Sequence, residues 1–333
     1  MNRYSRQERY NNIGTDGQRR IEESTVLIVG AGALGSSSSE MLARAGVKKL
    51  ILVDRDYVEP SNLQRQNLYS ESDAAEKIPK VIAAEKRLAD IRSDLEVEVH
   101  IAHCDAALIE PLAGAADIIL DGTDNFDTRL LINDTAFKLG IPWVYAACVE
   151  ASYTSCGFVP GETPCYRCLV PVLPQTALTC DTAGIIAPAV QAAVSEQVTT
   201  ALKIMTGQFQ APYYMRVGNL WDMDHMKFKI DVMKDPDCPA CSSHASYPAL
   251  SEDAGSTMKL CGRDTVQYID EKLDKKAVTA RLFERGIHFR ETPYFIEFRF
   301  EEYRLVNFHD GRFLIHGTSD MNKSRTVINQ IFG

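Results

Sequence analysis

VLIVGAGALGSSSSEMLARAG, Val26 to Gly46, reads as a strand, a glycine turn and a helix. The apolar run 25–30 is continuous rather than alternating, as in a strand buried on both faces. Gly30, Gly32 and Gly35 follow in G-x-G-x-x-G spacing, and residues 34–45 continue as a helix. Glycines let backbone approach an anion, and a helix N-terminus supplies N–H groups and partial positive charge. LILVDRD places Asp54 at the end of a second strand, where a carboxylate accepts hydrogen bonds from ribose hydroxyls. NAD and ATP both satisfy this unit. Ser36 to Ser39 read as small residues that let the helix pack closely on the sheet.

Beyond this unit, strands and helices alternate to about residue 150. Residues 1–24 read as a helical arm, 79–91 as an amphipathic helix and 97–103 as a strand. Residues 116–125 read as a strand ending in a polar turn, 128–140 as a helix closed by Gly140, and 142–151 as a strand. That alternation implies a doubly wound parallel sheet. A long helix at 189–205 and a strand pair near 214–232 suggest an antiparallel extension. The expected organisation is a domain over 1–245, a linker over 246–257 and a small α+β domain over 258–333. In the last, helices at 276–285 and 319–331 flank β runs at 294–300, 303–308 and 312–316.

The chain has 333 residues, 45% apolar and 24% charged, with a net charge of −9. That charge argues against non-specific nucleic-acid binding. No apolar segment reads as a leader or a membrane span, so a cytoplasmic protein is expected. Its nine cysteines are then thiols or metal ligands rather than disulfides.

Four groups of residues carry chemistry. SNLQRQN brings Asn62, Arg65 and Gln66 together, with Lys80 nearby in KIPKV. A triphosphate needs such cations and a dinucleotide does not; the alternative is a solvated surface pair. LDGTDN sets Asp121 and Asp124 at the carboxyl end of a strand, suited to Mg²⁺ on phosphate oxygens or to capping the next helix. CYRC and CPAC supply Cys165, Cys168, Cys238 and Cys241, two C-x-x-C pairs that match a closed, structural four-cysteine zinc site. Cys180, in LTCDTAG, is a candidate nucleophile, although no adjacent His or Lys lowers its pKa. Cys104 and Cys148 read as packing residues in apolar strands.

Taken in order, RYSRQ, GAGALG, VDRDYVEPSNLQRQ, IPKV, GTDN, CYRC, LTCDTAGIIAP and CPAC resemble the ubiquitin-activating-enzyme-like adenylyltransferases, the ThiF/MoeB/HesA family, over about residues 3–242. The resemblance implies a Rossmann-like sheet extended by antiparallel strands, in a homodimer. It implies ATP and Mg²⁺ as cofactors beside structural Zn²⁺. The implied partner is a small ubiquitin-like sulfur carrier ending in Gly-Gly, ThiS- or MoaD-like, with a cysteine desulfurase or rhodanese as sulfur donor. Asp54 would hold the ribose, and Asn62, Arg65 and Lys80 the phosphates. Asp124 would bind Mg²⁺, and Arg6 would reach the phosphates of the other subunit. Cys180 matches a cysteine that takes part in sulfur transfer in ThiF-like members and is dispensable in MoeB-like ones.

The implied chemistry is attack of the carrier's terminal carboxylate on the α-phosphorus with loss of pyrophosphate. A carboxylate is already ionised at pH 7, so no general base is required. The product serves thiamine or molybdopterin biosynthesis. Ala33 replaces a glycine common in the family turn. LCGRD, at Cys261, is not a rhodanese loop, so residues 258–333 are expected to dock a partner or cap the fold. The alternatives are a zinc-stapled, non-catalytic nucleotide-binding scaffold and an NAD-dependent oxidoreductase.

Overall fold

The computed structural model describes residues 2–170, 183–251, 257–259 (backbone course only), 264–270 and 272–333. The chain divides into two compact units, Met1–Glu252 and Asp253–Gly333. Cys180 and Cys261 lie outside the described residues.

The first unit is built on an eight-stranded sheet of order β3-β2-β1-β4-β5-β6-β7-β8. Its strands are β1 (Thr25–Val29), β2 (Lys49–Asp54), β3 (Glu96–Ile101), β4 (Ile118–Asp121), β5 (Trp143–Val149), β6 (Ser152–Phe158), β7 (Tyr214–Asn219) and β8 (Asp224–Lys229). Pairing is parallel from β3 across to β5 and antiparallel from β5 to β8. The sheet is therefore mixed, with the antiparallel extension expected from the sequence.

Alternate side chains of β1 explain its unbroken apolar run. Val26 and Ile28 face a core with Leu42 of α3 (Ala33–Ala45), Val81 and Leu88 of α5 (Lys80–Ile91), and Val190 and Val194 of α9 (Ala187–Met205). Leu27 and Val29 face another with Ile109 of α6 (Ala106–Gly114), Ile132 of α7 (Phe126–Leu139), Trp143, and Tyr166 of α8 (Tyr166–Leu169). A strand covered on both faces has no polar side to show. Gly46 and Gly140 end α3 and α7 at φ of 105° and 73°, where a Cβ would be strained.

Before β1 stand α1 (Ser5–Glu8) and α2 (Gly14–Glu23). Gln7 ties this arm to α3, since its amide donates to Ala45 O at 2.9 Å and to Gln18 at 2.6 Å.

The second unit has a six-stranded antiparallel sheet of order β11-β12-β13-β14-β10-β9. Its strands are β9 (Thr257–Lys259), β10 (Thr265–Ile269), β11 (Phe289–Glu291), β12 (Phe295–Phe300), β13 (Tyr303–Phe308) and β14 (Arg312–His316). Helices α11 (Lys275–Glu284) and α12 (Met321–Phe332) bury Val278, Leu282, Val327 and Ile331 against Ile296, Leu305, Phe313 and Ile315. Asp274 and Asp320 cap the two helices.

Several local expectations are corrected. The unit contains β9, β10 and β11 besides the three expected runs. Helices α4 (Glu71–Glu76) and α6 add to those expected. Pro111 lies inside α6 and reads as a breaker in sequence, yet Asp105 caps the helix through Leu108 N–H. Strand β3 ends at Ile101, so Cys104 lies in the turn before α6 and not in a strand; it is buried, and burial pushes its thiol up to about 12. Within the stretch read as a linker, α10 (Pro248–Ser251) is anchored by Ala249 N–H, which donates to Asp134 of α7 at 2.9 Å.

Candidate nucleotide site and cysteine cluster

Strand order reverses between β1 and β4, and in open α/β sheets ligands bind beyond the carboxyl ends at such a point. Two glycine turns meet there. A Cβ on Gly30 would stand 2.7 Å from Gly122 O, and one on Gly122 would stand 2.2 Å from Gly30 O. A Cβ on Gly35 would fall 1.8 Å from Gly30 O. These three glycines are therefore required by backbone contact. Gly32 differs, because its nearest neighbour would be Gly122 O at 3.9 Å. The space above Gly32 is open, and α3 begins there with no side-chain cap on its N–H groups. That is an anion cradle which a Cβ would fill, and it fits a phosphate chain.

Asp54 ends β2 beside this turn. Its carboxylate accepts Ala31 N–H and Asp56 N–H, both at 2.7 Å. Burial raises its pKa first; Lys80 opposes that rise and Asp56 adds to it. The Tyr69 hydroxyl donates to Ala31 O and steadies the same turn. Lys80 opens α5 with a side chain only 5% exposed, its Nζ 3.1 Å from Asp56 Oδ2. A solvated surface lysine is thereby ruled out; burial of a cation demands such a partner. Arg65 is half-buried and donates to Ser61 O at 2.9 Å. Asn62 is buried and accepts Glu59 N–H at 3.0 Å, which shapes the loop that carries Arg65.

The two acids of GTDN and the strand before it separate. Asp121 is fully buried: Oδ1 accepts the Thr123 N–H and hydroxyl at 2.8 and 2.6 Å, and Oδ2 accepts Arg129 Nε at 3.0 Å. Burial alone would lower the Arg129 pKa; Asp121, with Tyr145 and Tyr166, more than reverses this and keeps it charged. Asp121 is thus committed to the fold and not free for a cation. Asn125, not Asp124, caps α7 by accepting Thr128 N–H at 2.9 Å. Asp124 lies on the turn between them. Arg6 is exposed on α1.

The four cysteines converge. Sγ atoms of Cys165, Cys168, Cys238 and Cys241 all lie within 4.8 Å of one another. The pairs 165–168, 165–238 and 168–241 are 3.8, 3.4 and 3.5 Å apart. A regular tetrahedron with Zn–S of about 2.3 Å has edges of about 3.8 Å. Asp235 N–H and Ala240 N–H point at Cys168 and Cys238 sulfur, at 3.5 and 3.4 Å. Such bonds stabilise thiolates, so the donor set fits zinc and leaves no open position. Asp134, buried in α7, docks this knuckle through two 2.7 Å bonds from Arg167, while Asn133 accepts Tyr166 N–H at 2.8 Å.

Sequence reasoning missed one surface. Trp221, Met223, Met226, Phe228 and Val232 are all exposed, on and beside the edge strand β8. The signal was present as large apolar residues interleaved with charges. No helix among the described residues is long and apolar enough to cross a membrane.

A glycine cradle at the switch point of a parallel sheet, with an acidic acceptor and a buried lysine beside it, defines a nucleotide-binding α/β protein. Residues 4–242 match the ThiF family. The Bacillus subtilis sulfur carrier protein ThiS adenylyltransferase is 44% identical, covering 99% of each chain. The Escherichia coli molybdopterin-synthase adenylyltransferase is 36% identical over 72% of this chain and 96% of its own. Among solved structures, E. coli MccB with ATP shares the fold at a TM-score of 0.63 and 22% identity, over 73% of this chain and 75% of that one. The chain belongs to the ThiF family. It is an enzyme of the nucleotidyltransferase class and uses ATP.

Proposed function

We propose that the protein adenylates the C-terminal glycine carboxylate of a small ubiquitin-like sulfur carrier ending in Gly-Gly, of the ThiS type and so for thiamine rather than molybdopterin synthesis. The observation that carries adenylation is the buried Lys80, which its pair with Asp56 holds beside the glycine cradle, where a triphosphate calls for a cation and a hydride transfer does not require one. The preference for a ThiS-like carrier rests on the likeness to one relative: the Bacillus subtilis ThiS adenylyltransferase matches end to end at 44% identity, against 36% over 72% of this chain for the molybdopterin-synthase relative.

In this reading the phosphates lie over Gly32 at the start of α3, and Asp54 receives the ribose hydroxyls. Arg65, Lys80 and Asn62 hold the phosphates, and Arg6 of a second copy in a homodimer adds to them. Asp124 is the acid that binds Mg²⁺, which when bound neutralises phosphate charge. The ionised carrier carboxylate attacks the α-phosphorus in line, and pyrophosphate leaves. Positioning and charge neutralisation supply the rate, so no general base is needed. The persulfide of a sulfur donor, a desulfurase or rhodanese, then attacks the acyl carbon and AMP leaves. A thiol, for which Cys180 is the candidate, next attacks the donor sulfur of the acyl disulfide, releasing the thiocarboxylate and leaving a mixed disulfide. The four-cysteine cluster binds structural Zn²⁺, and the apolar face near β8 receives the carrier.

ATP–pyrophosphate exchange with MgCl₂ and Gly-Gly-ended carriers tests the reading. Exchange with a ThiS-like carrier is expected, and Asp124→Ala should abolish it in a folded protein. Exchange with a MoaD-like carrier alone would reassign the pathway. ATP binding without exchange, unaltered by Asp124→Ala, would leave a scaffold.

A further inference from the structure

Gln197 is a fully buried amide in the middle of α9. Three hydrogen bonds of its side chain lead to the nucleotide site. Nε2 donates to Asp121 O at 2.7 Å and to Val144 O at 3.0 Å. Oε1 accepts the Ser38 hydroxyl at 2.8 Å. The β4–β5 ladder pairs only Ile119 with Trp143 and Leu120 with Val144. At its end β4 stops at Asp121, and the Gln197 amide takes up the carbonyls of Asp121 and Val144. A buried carbonyl without a donor is costly, so the amide is needed where β4 ends.

The same amide spans two parts of the site. Ser38 belongs to α3, whose first turn forms the anion cradle, and Gln191 of α9 donates to Ser37 at 3.0 Å one step closer to it. Asp121 is the last residue before the turn that presents Asp124, and its side chain and Arg129 clamp Thr123 within that turn. Two of the four serines are therefore not merely small residues for packing. They tie the phosphate helix, through α9, to the end of β4.

We propose that Gln197 is a positioning residue, holding the Asp124 turn in register with the α3 cradle so that metal and phosphate are met together. The inference rests on the reading of Asp124 as the Mg²⁺-binding acid. It needs no contact between Gln197 and nucleotide.

The test is ATP affinity by calorimetry on the full chain, in EDTA and in MgCl₂, with the ratio of the two as readout. Asp124→Ala should bring the ratio close to one. Gln197→Leu should lower it about tenfold and leave affinity in EDTA within about threefold. In the Asp124→Ala background Gln197→Leu should change nothing further, since both act through one group. A merely structural role would lower the melting temperature and leave the ratio alone, or give independent effects in the double variant; either result overturns the proposal. If Asp124→Ala keeps the ratio, the reading of Asp124 fails and this inference with it. If Asp124→Ala removes the ratio and Gln197→Leu does not, this inference alone fails. Should Gln197→Leu not fold, Ser38→Ala takes its place in the same cycle; an effect of about threefold is expected, and a silent Ser38→Ala overturns the proposal.

Discussion

A Cβ added to Gly35 would stand 1.8 Å from the carbonyl oxygen of Gly30, whereas one added to Gly32 would meet nothing nearer than 3.9 Å. Two glycines of one motif thus do different work. Gly35→Ala should destabilise the chain by about 3 kcal/mol or more, because backbone cannot yield as a flexible side chain does. Gly32→Ala, at a φ of −76°, should keep stability within about 1 kcal/mol yet weaken ATP binding at least about tenfold. Melting curves beside calorimetric titrations would separate the two. Equal loss of stability in both variants would refute the division.

The four-cysteine cluster should hold about one zinc per chain by elemental analysis. It staples residues 73 positions apart through the Cys165–Cys238 contact, so chelation should lower the melting temperature without needing any loss of nucleotide contacts. Cys165→Ser should do the same. Thiolates must be deprotonated to bind metal, so zinc should leave as the pH falls. Fully folded, zinc-free protein at neutral pH would sink the assignment.

The burial of Asp54 sets the sign of a pH dependence. Burial, offset in part by Lys80, raises its folded pKa above the ordinary carboxylate value. The unfolded carboxyl titrates near about 3.9. Between the two values the folded chain holds more protons, so the contribution of Asp54 to stability is full below the unfolded value and lost as pH rises through the folded one. ATP affinity should run the other way, because the ionised carboxylate is the better acceptor for ribose hydroxyls. Titrations against pH should show affinity falling on acidification through that window in the wild type, and no such step in Asp54→Asn. A step of the same size in both would remove Asp54 from the ribose.

The apolar face at β8 should govern carrier affinity. Met226 and Phe228 are 56% and 42% exposed, so replacing either with Asp should alter stability little. Met226→Asp should raise the KM for the carrier in the exchange assay about tenfold or more while ATP affinity stays unchanged. An unaltered carrier KM in a folded variant would move the docking surface elsewhere.

The elements that the sequence predicted best are those whose periodicity reports two-sided burial. In β1 and β2 every residue between the ends is apolar, and only a covered parallel strand tolerates that. Gly140 after α7 and the helix read over 189–205, which runs Ala187–Met205, were readable from local sequence as well. Helix α6 was not, because Pro111 in AALIEPLAG looks like an ending when the Asp105 cap is not weighed. Without the family resemblance Asp121 and Asp124 could not be told apart, since their roles depend on Arg129 being folded onto one of them.

The sequence by itself determined the glycine turn, the acid at the end of β2, the cations that follow it and the two C-x-x-C pairs, since each depends on residues close along the chain. Tertiary structure alone decided that Gly122 lies against Gly30, that Lys80 is buried beside Asp56, that the two cysteine pairs meet and that Gln197 joins Ser38 to Asp121. The physical reason is separation: Ser38 and Gln197 are 159 positions apart, and only the winding of the sheet brings them within a hydrogen bond.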